Sequence, residues 1–314
     1  MLRLSFIVPF YDVEPYIEEC IRSLYHQDIP KSEYEVICVD DCSPDGSRAI
    51  VERLQKEYPT LRLLTHTTNK RQGGARNTGL REACGRYIWF VDADDYIKPN
   101  CLNALLTQAE KENLDLLKFY YEQVPNRLNN KLVSSSVVTG TELVFEVDTG
   151  EAPMVKCCVV WNQLIKRKLI ETHNIAFAEN VQYEDDDYVY QLYVYANRAM
   201  VLSEKCYFLR QTPNSTTRRK NDLRRAMDMY AQTIRFTELA PKLATIDKRW
   251  DALSKQRIKD EINNQVLSVL NDCSLWEQIY FWLRSKHSVR KLKLYVGHRT
   301  YAKLSSFLMW KMLN

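Results

Sequence analysis

Two hydrophobic patterns alternate along the first 120 residues. Short, continuous apolar runs, typical of strands buried on both faces, occur at residues 4–10, 34–41, 61–66, 86–91 and 115–121. Between these runs apolar side chains recur at helical spacing, which predicts helices at residues 14–27, 45–58, 74–84 and 99–113. Alternating strands and helices form right-handed βαβ crossovers, so the pattern predicts a parallel sheet with flanking helices.

The later part of the chain is less regular. Residues 126–155 mix Ser, Thr and Val and predict a variable loop with a short strand. Packed structure is expected again at residues 156–212. Helical periodicity follows, with helices expected at residues 224–237, 252–270 and 275–284.

Acidic side chains occur where two of the predicted strands end. Asp40 and Asp41 end the run at 34–41, and Asp92 and Asp94 follow the apolar run YIWFV. In a parallel sheet these ends meet at one edge, where ligands bind. Alternate residues of a strand share a face, so Asp92 and Asp94 could point the same way and repel each other unless a cation lies between them. Oxygen ligands suit Mg²⁺ or Mn²⁺. An acidic turn after an edge strand is the alternative.

Composition limits the class of protein. The 314 residues are 45% hydrophobic and 27% charged, as in ordinary globular proteins. Nine scattered cysteines without a CxxC pair favour a reducing, cytoplasmic setting. The N-terminal run is too short and strand-like for a signal peptide, and no run approaches the roughly 18 apolar residues of a membrane span. We therefore expect any membrane contact to be peripheral, at the inner face of the cell membrane.

The net charge of +4 is unevenly distributed. No acidic side chain follows Glu277, whereas basic residues alternate with aromatic ones to the end of the chain. This composition suits an anionic membrane surface. A helical cap on the main domain or a dimer contact is the alternative. No recognised nucleic-acid module is present, so we expect no nucleic-acid partner.

Five segments carry further information through their order and spacing. They read FIVPFYDVEPYIEECIRSL, VICVDDCSPDGS, NKRQGGARNTGLREACGRYIWFVDADD, VVWNQLIKRKLIETHNIAF and VQYEDDDYVY. Together these segments resemble the family 2 glycosyltransferases. The resemblance implies an α/β, Rossmann-like GT-A fold with a mostly parallel central sheet and flanking helices over residues 1–215. A nucleotide-sugar-binding half would span residues 1–120 and an acceptor half residues 121–215, with a C-terminal helical region at 216–314.

The resemblance also implies an activity. The chain would move a sugar from a nucleotide-sugar, with UDP as the expected nucleotide, to an acceptor hydroxyl with inversion at the anomeric carbon. A saccharide or lipid-linked saccharide is the implied acceptor, and cell-surface polysaccharide synthesis is the usual setting of such relatives. Mg²⁺ or Mn²⁺ would neutralise the charge that develops on the leaving diphosphate.

Donor contacts follow from the matched segments. By similarity, Pro9 and Tyr11 contact the nucleoside, although plain packing is the alternative for Tyr11. Asp41 would accept a hydrogen bond from the imide N–H of uracil, unless it caps the following turn as Asp40 can. Arg76 would lie near the nucleotide, in a Gly-rich loop that opens a helix and favours an anion.

The metal ligands and the catalytic base complete the implied site. Asp94 is the first metal ligand, and Asp92 shares the ion or approaches the ribose. Asp95 is the weaker candidate for a metal ligand, and a structural role in capping the next turn is the alternative. Asp185 of the YEDDD segment is the general base, and its acidic neighbours would raise its pKa. Glu184 and Arg210 are further candidates for the site.

One departure from the family pattern keeps an alternative open. Relatives commonly have Lys where Gln163 stands in WNQL, so a non-catalytic nucleotide-sugar-binding subunit remains a second hypothesis. A phosphatase of the haloacid-dehalogenase type also has an apolar strand that ends in DxD. That chemistry uses the first Asp as its nucleophile and usually places the motif near the start of the chain.

Overall fold

A computed structural model of the protein describes residues 2–124, 137–139, 159–212, 221–246, 248–285 and 288–292. Contacts divide the chain into two compact units, Met1–Asn180 with Glu184–Pro213, and Val181–Tyr183 with Asn214–Asn314. The loop predicted at 126–155, apart from residues 137–139, and the basic tail beyond residue 292 lie outside the described residues.

The first unit contains the strands and helices that the hydrophobic pattern predicts, with ends shifted by a few residues. Its strands are β1 (Leu4–Phe10), β2 (Tyr34–Asp40), β3 (Leu61–Thr65), β4 (Tyr87–Phe90), β5 (Tyr96–Ile97), β6 (Leu116–Val124), β7 (Val137–Thr139), β8 (Gln163–Lys166) and β9 (Arg198–Arg210). Its helices are α1 (Ile17–Tyr25), α2 (Ser47–Leu54), α3 (Arg71–Glu82), α4 (Leu102–Lys111), α5 (Arg167–His173) and α6 (Asp185–Tyr195).

The sheet confirms the expected α/β class and is mixed in direction. Its order is β3-β2-β1-β4-β8-β6-β9-β5, and β7 also pairs with β9. The pairs among β1, β2, β3 and β4 are parallel, as the βαβ pattern predicts. Strand β8 lies antiparallel between β4 and β6, which the alternation could not predict because this short strand comes from a much later segment.

Burial on both faces explains the continuous apolar runs. Every residue of β1 and β2 is buried. Helix α1 covers one face through Ile17, Cys20, Ile21 and Leu24, all at 0% exposure. These four residues form the stripe expected from helical spacing. The central strands therefore form a rigid support for the loops at their carboxyl ends.

The second unit is helical, as the later periodicity predicts. Its described elements are α7 (Leu223–Ile246), α8 (Arg249–Asp260), a π-helical turn (Glu261–Val266), α9 (Leu267–Asn271), α10 (Leu275–Ser285) and α11 (Val289–Leu292). The ring of Phe281 in α10 packs edge-on against Tyr230 of α7 at 5.1 Å between centroids. Among the described helices, none has the length and apolar character that a bilayer crossing requires.

Candidate functional site

The predicted donor-binding residues meet at one edge of the sheet. Strands β2 and β4 flank β1 and both run parallel to it, so the carboxyl ends of all three lie at the same edge of the sheet. Pro9 lies near the end of β1, and Tyr11 follows it with 49% of its surface exposed. Asp41 follows β2, and Asp92 comes two residues after the end of β4. The structure thus brings these four residues to the edge where ligands bind in such sheets.

Asp41 is buried and oriented by its neighbours. Its Oδ1 accepts hydrogen bonds from Nδ1 of His66 at 2.7 Å and from the backbone N–H of Lys70 at 2.8 Å. The other ring nitrogen of His66 lies 2.9 Å from Oγ1 of Thr78 in α3. Within the described part of the chain, nothing hydrogen-bonds Oδ2 of Asp41, so this oxygen can accept from a ligand.

The structure distinguishes the role of Asp40 from that of Asp41 and adds His66 to the site. Oδ1 of Asp40 accepts from the backbone N–H of Ser43 at 2.8 Å, so Asp40 caps the turn and leaves Asp41 for other contacts. Sequence reasoning missed His66, although it follows β3 as Asp41 follows β2. Its position at a strand end was the available signal.

Arg76 is 1% exposed and lies among three carboxylates. Its Nη2 donates to Oδ1 of Asp92 at 2.8 Å. Its Nη1 donates to Oε1 of Glu184 at 2.6 Å and to Oδ1 of Asp185 at 2.5 Å. The guanidinium carbon lies 5.3 Å from the ring centre of Phe177. Arg76 therefore joins the predicted base to the predicted donor-side carboxylate, and its charge faces protein groups.

Burial dominates the electrostatics of this cluster. Burial raises the pKa of Asp185 well above its usual range, against the opposing charge of Arg76, and the charge of Glu184 raises it further. The pKa of Glu184 is raised for the same reason, with Arg76 again opposing the shift. Burial lowers the pKa of Arg76, but the surrounding carboxylates outweigh this effect and the net shift is upward. A carboxylate with a raised pKa is a stronger proton acceptor, as a general base requires.

Asp94 lies in a turn beyond the end of β4, so strand alternation does not set its direction. Asp95 closes this turn by donating its backbone N–H to the carbonyl of Asp92 at 3.0 Å. Burial, followed by the charge of Asp92, raises the pKa of Asp94 to about 6. Oδ2 of Asp94 accepts a hydrogen bond from Oγ1 of Thr212 at 3.2 Å. A cation would offset both the burial and the repulsion.

Asp95 points into the protein and fixes the turn. It is 1% exposed, and its carboxylate accepts from the hydroxyl of Tyr207 at 2.7 Å and from the backbone N–H of Arg210 at 2.6 Å. The hydroxyl of Tyr207 also accepts from the backbone N–H of Asp92 at 3.1 Å. Burial, with the charges of Asp94 and Asp92, raises the pKa of Asp95 to about 8. These contacts give Asp95 a structural role. Tyr207 was missed because no motif marks it.

The side chain of Arg210 lies beside aromatic rings near this turn. Its guanidinium is 4.9 Å from the ring centre of Tyr96 and 5.4 Å from that of Tyr16. Nη2 lies 2.8 Å from Oε2 of Glu19. Arg210 thus contacts Asp95 only through its backbone, and its predicted contribution to the donor site stays a prediction.

Helix α3 is tied directly to the segment that precedes α6. Nδ2 of Asn77 donates to the carbonyl of Phe177 at 2.9 Å, and the N–H of Phe177 donates back to Oδ1 of Asn77 at 2.9 Å. A Cβ atom added to Gly73 would lie 2.2 Å from the carbonyl oxygen of Ala178, so only glycine allows this approach. The two halves of the predicted site therefore form one connected structure.

The residue that departs from the family pattern, Gln163, pairs in the sheet with the buried Lys118. Gln163 is 0% exposed, and neither polar atom of its side-chain amide has a hydrogen-bond partner in the described structure. Lys118 of β6 is its direct partner across the antiparallel pair, so the two side chains share a face. Nζ of Lys118 donates to the hydroxyl of Tyr193 at 3.1 Å. Lys118 and Gln163 thus lie on the same face of the sheet, and Lys118 uses its ammonium group to contact Tyr193.

The carboxylates suit an ion that takes part of its coordination from a ligand. No group of three or more His, Cys, Asp or Glu side chains in the described residues is arranged to hold a metal. Mg²⁺ typically binds one or two carboxylates and completes its shell with water and substrate phosphates. Asp94, with its raised pKa, and the neighbouring Asp92 provide that kind of partial site.

Comparison with known proteins adds a family and a fold. The model of the family "Glycosyl transferase family 2" matches residues 5–171. The uncharacterized glycosyltransferase EpsJ of Bacillus subtilis is 36% identical over 219 residues, which cover 68% of this chain and 62% of EpsJ. The poly(ribitol-phosphate) beta-N-acetylglucosaminyltransferase TarS of Staphylococcus aureus is 30% identical over 213 residues, or 66% of this chain and 35% of TarS. The chain thus spans less than two thirds of either relative.

Solved structures share the fold. TarS 1–349 in complex with UDP-GlcNAc matches with a TM-score of 0.72 at 24% identity, covering 99% of this chain and 88% of that one. The mannosyltransferase PcManGT of Pyrobaculum calidifontis, in complex with GDP-Man and Mn²⁺, matches with a TM-score of 0.56 at 20% identity over 99% and 86% of the two chains.

Proposed function

Because this chain belongs to glycosyl transferase family 2 and has the GT-A fold, we propose that it transfers one sugar from a nucleotide-sugar to an acceptor hydroxyl with inversion. The observation that carries the proposal is the convergence of Asp92, Asp94 and Asp185. The first two follow a strand of the donor half, and Asp185 begins α6. Arg76 links Asp92 to Asp185, so groups for the leaving diphosphate and for the attacking hydroxyl lie in one site.

Asp185 is the proposed general base. Inversion in one displacement requires a group that removes the proton of the acceptor hydroxyl as the new bond forms. The carboxylate of Asp185 is 21% exposed, so it is reachable from solvent, while burial raises its pKa. Glu184 is 6% exposed and bonded to Arg76, which suits a supporting role.

Asp41 supports a uridine nucleotide as the donor. Its Oδ1 is held by His66 and Lys70, while Oδ2 accepts no hydrogen bond from the described residues and can accept from the imide N–H of uracil. An adenine edge presents a different pattern of donors and acceptors. Pro9 and Tyr11 border the same edge and are proposed to contact the nucleoside. The relative TarS has been crystallised with UDP-GlcNAc, which is consistent with this choice.

A divalent cation, Mg²⁺ or Mn²⁺, is proposed at Asp94 and Asp92. When bound, it would neutralise charge on the diphosphate as the sugar departs. Asp94 would supply a carboxylate oxygen to the ion. Without such an ion, burial and the charge of Asp92 raise the pKa of the Asp94 carboxyl group to about 6. Asp95 and Tyr207 keep the turn in place, and Arg76 fixes the direction of Asp92. The mannosyltransferase of the same fold that contains Mn²⁺ is consistent with this proposal.

The acceptor is proposed to be a cell-surface polysaccharide or its lipid-linked precursor. The relative TarS is named as a poly(ribitol-phosphate) beta-N-acetylglucosaminyltransferase, so its named acceptor is a polymer. The second hypothesis, a non-catalytic nucleotide-sugar-binding subunit, predicts that the native protein binds the donor and transfers no sugar.

The proposal is tested by separating donor binding from transfer. Purified protein is screened against UDP-sugars with Mn²⁺ by thermal shift, since a ligand that binds only the native state raises the apparent stability. Asp185→Asn should retain the donor-induced shift and lose transfer by at least about a thousandfold. Asp94→Asn should lose both. Asp187→Asn, in the same helical turn as Asp185, is the matched control and should keep both. Full transfer by Asp185→Asn would disprove the base assignment.

A further inference from the structure

Helix α10 of the second unit has one face committed to the protein. Gln278, Phe281 and Ser285 are buried along this face. Nε2 of Gln278 donates to the carbonyls of Leu270 at 2.9 Å and Cys273 at 2.8 Å, which fixes the rotation of the helix. This fixed rotation also sets which residues of α10 form its opposite face.

The opposite face is apolar and open to solvent. Trp276 is 79% exposed, Tyr280 is 50% exposed and Leu283 is 49% exposed. Their spacing of four and three residues places them on one stripe, which lies on the far side of the helix from Phe281. We call Trp276, Tyr280 and Leu283 the exposed stripe. Large apolar side chains grouped in this way on a soluble surface mark an interaction site.

The charged residues that follow Glu277 in the sequence are all basic. The last acidic residue of the sequence, Glu277, is used in the helix cap: its Oε2 accepts from the N–H of Ser274 at 2.8 Å and from Oγ of Ser274 at 2.7 Å. Arg284 is exposed one residue after Leu283. The basic residues that follow Glu277 are Arg284, Lys286, Arg290, Lys291, Lys293, Arg299, Lys303 and Lys311.

We propose that the exposed stripe docks on an anionic lipid bilayer. Trp and Tyr side chains partition to the headgroup region of a membrane, and Leu283 would reach the acyl boundary. The basic run supplies attraction to anionic headgroups. A second copy of this chain fits less well, because a symmetric contact through the stripe would bring two basic runs together. This docking surface is independent of the donor site and goes beyond the proposed function.

Flotation of the full chain with vesicles tests the proposal. The vesicles contain phosphatidylcholine alone, or phosphatidylcholine with about one third phosphatidylglycerol. The native protein should float with the anionic vesicles and lose most of its binding at high salt. Substituting the stripe (Trp276→Ser, Tyr280→Ser and Leu283→Ser) should weaken binding at least about tenfold. Since all three side chains are exposed, circular dichroism and Tm should stay unchanged; if the triple variant unfolds, Trp276→Ser alone provides the test.

A matched pair of charge variants separates local charge from net charge. Arg284→Ser with Lys291→Ser removes two cations that follow the stripe in the sequence, and Nζ of Lys291 is 2.6 Å from Oε1 of Glu238. Lys255→Ser with Lys259→Ser removes two exposed cations from α8, and Lys255 is 2.7 Å from Asp251. The first pair should weaken anionic-vesicle binding at least about fivefold, and the second should leave it within about twofold.

Three results would overturn the proposal. They are a native protein that does not float with anionic vesicles, a stripe variant that floats as well as the native protein, and equal effects of the two charge pairs. Light scattering provides a further check. A dimer that forms with rising concentration and disappears in the stripe variant would assign the stripe to a second copy.

Discussion

Replacing Arg76 by Met should destabilise the first unit in a pH-dependent way. The substitution removes the guanidinium and keeps a long apolar side chain in its place. Asp92, Glu184 and Asp185 would then face one another without a cation. Because Arg76 is 1% exposed, water cannot replace its charge without opening the structure.

The magnitude follows from the burial of the partners. Removing one member of a buried ion pair costs about 3–5 kcal/mol. The side chains of Asp92 and Asp185 are 20% and 21% exposed, so solvent relieves part of the repulsion and we expect a loss of about 3 kcal/mol near pH 8. For a unit of this size, that corresponds to a decrease in Tm of about 6–12 °C.

The pH dependence has a definite sign. The pKa values of Asp185 and Glu184 are already raised by burial in the presence of Arg76, and they rise further without it. A carboxyl group with a folded pKa above its unfolded value binds more protons in the native state, so its contribution to stability is lost as pH rises through the folded pKa. The deficit of the Arg76→Met variant should therefore grow with pH and shrink as pH falls toward 5.

Urea denaturation at a series of pH values measures this deficit. Arg81→Met is the matched control, because Arg81 is exposed on the same helix and donates to Oγ1 of Thr78 outside the carboxylate cluster. The control should stay within about 0.5 kcal/mol of the native protein. A loss below about 1 kcal/mol for Arg76→Met, or a loss that does not vary with pH, would refute the electrostatic account.

Three further outcomes are expected. Tyr207→Phe removes the hydroxyl shared by Asp95 and Asp92, so urea denaturation should show a free energy of unfolding lower by about 1–3 kcal/mol. The control Tyr96→Phe should show little change. Equal losses in the two variants would contradict the role of the Tyr207 hydroxyl. His66→Phe releases Asp41 and should raise the KM for a uridine donor about tenfold with a smaller change in kcat, and an unchanged KM would remove His66 from the site. Burial raises the pKa of Asp94 to about 6, and its ionised form would bind the cation. The affinity for the donor in the presence of Mn²⁺, measured by calorimetry, should therefore fall as pH drops below about 6. An affinity that stays constant from pH 5 to pH 8 would disprove this.

Local hydrophobic patterns were sufficient to predict the strands and helices that pack against elements nearby in the sequence. The buried runs predicted β1 and β2, and the four-residue stripe predicted α1. Helix α3 begins at Arg71, three residues earlier than expected, because Gly73 and Gly74 lower the helix propensity that a sequence reading relies on. The structure uses Gly73 for the close approach to Ala178, which no local pattern reveals.

The site required contacts over long separations. Arg76 and Glu184 are 108 residues apart, and Tyr207 and Asp95 are 112 apart. Motifs selected Arg76 and Asp185 individually, but neither motif shows that the two side chains meet. Tyr207 lies in β9, where no sequence motif marks it, so only packing could identify it.

The reciprocal amide pair between Asn77 and Phe177 has a consequence for the order of events in a reaction. It holds the chain leading to Asp185 against the helix whose first turns carry Arg76. Neither substrate needs to draw the proposed base toward the donor side, because folding has already set that distance. The arrangement of the proposed base and the donor side is thus already present in the native state, so the binding energy of the substrates can be used to orient the sugar.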